Sequence, residues 1–216
     1  MKHLVIFDVD GTLFQTDRVT VPAVHRTFAD YGLPVPAETD ILGFFGKSVA
    51  SYEAWLGEQC PLGLASEIIA ATNALELKLI GEEGKLYPGV PDTLTQLANT
   101  GYALAICSNG PQAYVDEVLD KHHLRRFFPT VFARDTQFSG KEEMTRLILD
   151  TVAPMQFAIV GDRRDDIEAA HAFKGYGVAA TYGYGNEEEW RDADRKIHTI
   201  TQAVGCLKEL FCSGVN

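Results

Sequence analysis

Two carboxylates, one residue apart, follow directly on a short apolar run near the start of the chain: Leu4-Val5-Ile6-Phe7, then Asp8-Val9-Asp10-Gly11-Thr12. A run of that length suits a buried strand, and Gly after the second acid suits a turn. Side chains alternate along an extended chain, so Asp8 and Asp10 leave the strand end on the same side. Carboxylates held side by side repel unless a cation lies between them or one keeps a proton. In open α/β sheets ligands bind beyond the C-terminal strand ends. The spacing therefore points to an acidic, metal-assisted site. The plainer alternative is a strand running into an Asx-type turn with solvated acids.

Three further segments end on polar groups. The strand-like stretch 102–107 runs into Ser108-Asn109-Gly110, Lys141 follows Ser139-Gly140, and the stretch 157–160 runs into Gly161-Asp162-Arg163-Arg164-Asp165-Asp166. Taken alone, Ser108 is a turn or helix-capping residue, and Lys141 is a solvated first-turn lysine. Parallel strands would carry all of them to one rim of a sheet. Asp166 lies one helical turn after Asp162, so both can share a face. Asp165 competes for that role and reads as a helix-start acid favoured by the dipole; Arg163 and Arg164 are expected to be exposed.

The elements that must position these residues fall into two kinds. Between Phe14 and Tyr87 only helical spacing recurs. It is carried by Val21, Val24, Phe28 and Tyr31 (with Pro22 in a first turn and Gly32 as a stop), by Val49, Tyr52, Leu56 and Cys60, and by Ala65, Ile68, Ile69, Thr72, Leu75 and Leu79. Tyr52 and Trp55 have the spacing of core residues, and one of them could line a pocket. After the turn-rich Leu86-Tyr87-Pro88-Gly89-Val90-Pro91, strands and helices alternate. Strands are expected at 102–107, 130–133, 157–160 and 177–181, with helices between them and a last helix carrying Val204, Leu207, Leu210 and Phe211. Repeated β-α units imply a doubly wound parallel sheet, an α/β core, covered on both faces. We expect a core domain of residues 1–14 and 86–216 and an inserted α-helical cap of residues 15–85.

A formal charge of −11 argues against general affinity for nucleic acid or an anionic membrane. No apolar run approaches the ~18 residues of a membrane span, and the N-terminus lacks a signal-peptide pattern. The four cysteines include no C-x-x-C pair, so reduced thiols and a cytoplasmic setting are expected. Gly43-Phe44-Phe45-Gly46-Lys47-Ser48 ends like a P-loop, but Ile41 stands where the first Gly is required. His25, His122, His123, His171 and His198 show no metal-ligand spacing, and Cys107 reads as a small core residue.

Asp-Val-Asp-Gly-Thr, a strand ending in Ser-Asn, an isolated Lys and Gly-Asp-x-x-x-Asp, in that order, resemble the haloacid dehalogenase superfamily. The insert after the first motif, and Tyr182-Gly183-Tyr184-Gly185, resemble its phosphoglycolate phosphatase-like and β-phosphoglucomutase-like branch. The resemblance implies Asp8 as nucleophile, forming an aspartyl-phosphate, and Asp10 as general acid and then base. It implies Ser108 as a hydrogen-bond partner of the phosphoryl group and Lys141 as its charge balance. Mg²⁺ would be held by Asp8, the Asp10 carbonyl and Asp162, with Asp166 in support. Thr12, Asn109 and the cap residue Lys47 would meet the substrate, with Gly43 and Gly46 permitting close approach. Asp10, absent from dehalogenases and phosphonate-cleaving relatives, favours a phosphate ester. The expectation is a Mg²⁺-dependent phosphatase for a small phosphorylated metabolite, phosphoglycolate-like compounds first. A sugar-phosphate mutase of the same branch is the alternative. A phospho-accepting signalling domain also groups acids, Ser/Thr and Lys at strand ends, but the insert and the Asp-x-Asp-Gly-Thr turn speak against it.

Overall fold

The computed structural model describes residues 3–134 and 138–213. Leu4–Phe7 forms β1, every residue of it buried, as its uninterrupted apolar sequence requires. Ala103–Ser108 (β2), Thr130–Ala133 (β3), Phe157–Gly161 (β4), Tyr176–Ala180 (β5) and Arg195–Ile197 (β6) complete one sheet in the order β3-β2-β1-β4-β5-β6. Every pairing is parallel. Phe7 pairs with Ile106 on one side and Val160 on the other, so the ends of β1, β2 and β4 are level. That register brings Asp8, Ser108 and Asp162 to one rim.

The strands alternate between two apolar layers. Val5, Phe7, Leu104, Ile106 and Val160 belong to one cluster, with residues of Val90–Asn99, Gln112–Lys121 and Ala203–Ser213. Leu4, Ile6, Ala105, Cys107 and Ile159 belong to the other, with Met144 and Ile148 of Lys141–Val152 and Ala169 and Ala170 of Arg164–Ala172. The sheet is thus covered on both faces, a doubly wound α/β fold.

Between β1 and the rest lie helices α1 (Asp17–Asp30), α2 (Glu38–Leu42), α3 (Val49–Glu58) and α4 (Ala65–Glu82). They share a cluster built on Val24, Phe28, Ile41, Leu56 and Ile68. In chain order the remaining helices are α5 (Val90–Asn99), α6 (Gln112–Lys121), α7 (Lys141–Val152), α8 (Arg164–Ala172) and α9 (Ala203–Ser213).

Three details differ from the sequence expectations. Pro22 lies in the second turn of α1, because the helix already starts at Asp17. The five-residue α2 and the three-residue β6 carry too short an apolar pattern to announce themselves. Among the described residues, no helix is long and apolar enough to cross a membrane.

Candidate active site

Asp8 follows β1 by one residue, and its N–H donates to the Val160 carbonyl at 3.0 Å, fixing the strand end against β4. Lys141 opens α7 and places Nζ 2.9 Å from Asp8 Oδ1 and 2.6 Å from Asp166 Oδ1. All three side chains are buried, so each charge depends on its partners. Burial alone would lower Lys141, but Asp165, Asp166 and Asp8 outweigh it and hold the ammonium well above the usual lysine range. Burial pushes Asp8 up to about 7, Lys141 opposing the rise and Asp162 and Asp10 adding to it. Asp162 rises to about 7 through burial and the nearby Asp166. Asp166 rises to about 8, again mainly through burial.

Asp8, Asp162 and Asp166 each offer a carboxylate oxygen, and these atoms lie within 4.8 Å of one another. Asp162 Oδ2 accepts from the Tyr184 N–H at 2.6 Å, whereas its buried Oδ1 has no hydrogen-bond partner among the described residues. An orphaned buried acceptor costs ~1–3 kcal/mol. Beside two further acids, a hard divalent cation with oxygen ligands would satisfy it and relieve the repulsion. The donor set fits such an ion. Gly11, at φ +74°, leaves the space that a Cβ would take from the Asp162 carboxylate.

The Asp10 carboxylate is held separately. Its Oδ1 accepts from Thr16 Oγ1 at 2.5 Å and from Tyr114 Oη at 2.8 Å. Burial raises its pKa, while hydrogen bonds from Thr16, Tyr114 and Ser108 work the other way. Tyr114 comes from α6 and Thr16 from the residue before α1; neither was singled out from the sequence. A tyrosine amid the apolar spacing of α6 looks like core, and its hydroxyl contact becomes visible only in three dimensions.

A cavity of about 260 Å³ opens over Asp8, Asp10, Asn109 and Lys141 and is closed on the other side by α1, α3, α4 and the α2–α3 loop. Lys47 and Tyr52 line it, and the Lys47 ammonium also stands 4.5 Å from the centroid of the Phe44 ring. Ser108, Thr12, Asp162 and Asp166 do not line it. Ser108 is fully buried, and its Oγ accepts from the Gly110 N–H at 3.0 Å. Thr12 is also fully enclosed, and its hydroxyl has no hydrogen-bond partner among the described residues.

Asn109 and Arg163 join the sheet rim to the helical layer. Asn109 Nδ2 donates to the Gly46 carbonyl at 3.1 Å and to Asp165 Oδ2 at 2.6 Å. Arg163 Nη1 donates to the Phe45 carbonyl at 2.7 Å, and its Nε meets Glu189 Oε2 at 2.8 Å. Arg163 is therefore not the exposed residue its charged neighbourhood suggested; Arg164 is exposed. Gly46, at φ +79°, makes its close approach to Arg163, whose Cγ lies 2.7 Å from where a Cβ would be. Asp165, given to Asn109, stays outside the group that Asp166 forms with Asp8 and Asp162.

Comparison with known proteins decides the family. The profile of haloacid dehalogenase-like hydrolases matches residues 5–179.

The chain belongs to that family.

A phosphoglycolate phosphatase of Aliivibrio fischeri is 32% identical over 206 residues, spanning 90% of both chains. One of Pseudomonas putida is 31% identical over 194 residues, spanning 85% of this chain and 71% of its own length. A crystal structure of a predicted phosphoglycolate phosphatase from Haemophilus somnus superposes with a TM-score of 0.85 at 21% identity, over 94% of this chain and 97% of its own. CbbY from Rhodobacter sphaeroides, a variant in complex with xylulose-(1,5)bisphosphate, gives 0.79 at 21% identity, over 94% and 96%. The structural likenesses establish the same fold. The chain is a hydrolase of the phosphatase kind, and the signalling-domain alternative falls away.

Proposed function

We propose that this phosphatase hydrolyses a small phosphomonoester through an aspartyl-phosphate on Asp8. Support comes from one observation above all: Asp8, Asp10, Asp162, Asp166 and Lys141, drawn from three separate segments, meet at one rim. Asp8 attacks phosphorus and the leaving alkoxide takes a proton from Asp10. Asp10, now a base, draws a proton from the water that releases phosphate. Lys141 offsets the negative charge gathered around Asp8 and the phosphoryl group, and Ser108 hydrogen-bonds a phosphoryl oxygen. Asp8, the Asp10 carbonyl and Asp162 would hold Mg²⁺, with Asp166 supporting. The ion when bound supplies positive charge against the transferred group and a rigid orientation for it.

Residues 15–85 act in this reading as a cap on a core of residues 1–14 and 86–216. Closure of the cap keeps bulk water from the reacting groups. Lys47 and Asn109 lie within reach of a bound substrate, and Thr12 supports the turn beside it. Phosphoglycolate belongs in the first panel of substrates because sequence relatives carry that name. The test is phosphate release from that panel with Mg²⁺, with chelator, and with Asp8→Asn. Release that needs Mg²⁺ and Asp8 is expected; a fully active Asp8→Asn enzyme would refute the nucleophile. Conversion of a hexose 1-phosphate to its 6-phosphate without free phosphate would instead make the chain a mutase.

A further inference from the structure

The helical side of the cavity carries an acid for which the chemistry above has no use. Glu76 of α4 lines it, and of the described lining residues it is the one carboxylate that the helical layer contributes. Thr20 Oγ1 donates to Glu76 Oε1, and among the described residues no lysine or arginine pairs with Glu76. Donors able to receive an anion here are few. The Asn73 amide donates to Glu53 Oε1 at 3.0 Å, and the Lys47 ammonium rests over Phe44. The remaining wall is largely aromatic and aliphatic, including Phe44, Val49 and Leu77. A second carboxylate brought into this half-desolvated space would face Glu76, and the ammonium that the described helical side sets against it, Lys47, already stacks on Phe44. A hydroxyl would find in Glu76 a strong acceptor.

We propose that Glu76 is a charge filter on the leaving-group side of the cavity. It accepts hydrogen bonds from an uncharged, hydroxyl-bearing leaving alcohol and rejects one that carries a carboxylate. The inference rests on the phosphomonoester reading and narrows its substrate class to polyol monophosphates over phosphorylated hydroxy acids. Thr20, with its hydroxyl on Oε1, is a positioning residue that aims the filter. Specificity of this kind comes as much from the repulsion of the wrong ligand as from attraction of the right one.

The experiment compares kcat/KM for glycerol 1-phosphate, 2-phosphoglycolate and p-nitrophenyl phosphate, with Mg²⁺ at pH 8. Burial pushes Glu76 up to about 7, so it is mainly ionised there. The wild-type enzyme should prefer glycerol 1-phosphate to 2-phosphoglycolate by about tenfold or more. Glu76→Gln keeps the shape and the acceptor for Thr20. It should shrink that preference by about tenfold, chiefly through a lower KM for 2-phosphoglycolate. Glu76→Ala should shift the ratio in the same direction, and thermal melts of both variants report whether they fold. A wild-type preference for 2-phosphoglycolate would overturn the filter. So would a ratio that moves less than about twofold in folded variants, or hydrolysis of p-nitrophenyl phosphate alone. Release of phosphate from none of the three would instead count against the phosphomonoester reading itself.

Discussion

Replacing Lys141 with Met keeps a side chain of similar length and removes the charge that Asp8 and Asp166 share at 2.9 Å and 2.6 Å. Removing one partner of a buried ion pair costs ~3–5 kcal/mol, because the remaining charge stays desolvated. The loss must depend on pH. Asp8 and Asp166 stand at about 7 and about 8 in the folded chain, against an ordinary value of 3.8. The folded state therefore binds more protons than the unfolded one between those limits, and the acids cost stability progressively as pH rises through that window. Without the ammonium both acids move higher still, so protonation rescues the variant at low pH. Urea unfolding of wild type and Lys141→Met, in chelator so that no cation substitutes for the lysine, measures this directly. We expect a loss of about 3–5 kcal/mol at pH 8.5, smaller by at least ~1 kcal/mol at pH 5.5. A loss below ~1 kcal/mol at pH 8.5, or one equal at both pH values, would refute the reasoning. Turnover should fall at least ~10²-fold.

Tyr114→Phe removes one of the two side-chain donors on Asp10 Oδ1. It should lower kcat by roughly tenfold with little change in KM, in keeping with ~1.5–3 kcal/mol for a hydrogen bond to a charged group. Arg163→Ala frees the Phe45 carbonyl and should raise KM severalfold in steady-state kinetics. Gly46→Ala, strained at φ +79° and crowded by Arg163, should do the same, and part of its effect should vanish when Arg163 is also Ala. Mg²⁺ should raise the melting temperature of the wild-type protein in a concentration-dependent way. Asp162→Asn should abolish that rise, and an undiminished rise would remove Asp162 from the ion's ligands.

The sheet and most of the rim were legible because their signals are local. An uninterrupted apolar strand, two acids at alternate positions and a glycine turn are all contained in residues 4–12. The level strand ends follow from regular parallel pairing, so Asp8, Ser108 and Asp162 were predictable as neighbours. Contacts across the fold were not. Arg163 sits in a charged run that looks solvated, and only the approach of the α2–α3 loop turns it toward the Phe45 carbonyl. Glu76 and Tyr114 follow ordinary helical spacing; what distinguishes them is the cavity on which both border. The edge strand Arg195–Ile197 has two exposed residues of three and offers no apolar alternation to recognise. Tyr184 stood out only through resemblance, whereas its N–H on Asp162 is the physical reason for its place.

Asp8 as the covalent phosphate carrier is the claim on which the chemistry turns. Acid quenching of the enzyme during turnover of a substrate it hydrolyses, followed by peptide mass spectrometry, tests it most directly. One phosphoryl group on the peptide containing Asp8, absent from Asp8→Asn, is the predicted result. A phosphoryl group found on another residue, or unimpaired turnover by Asp8→Asn, would contradict it.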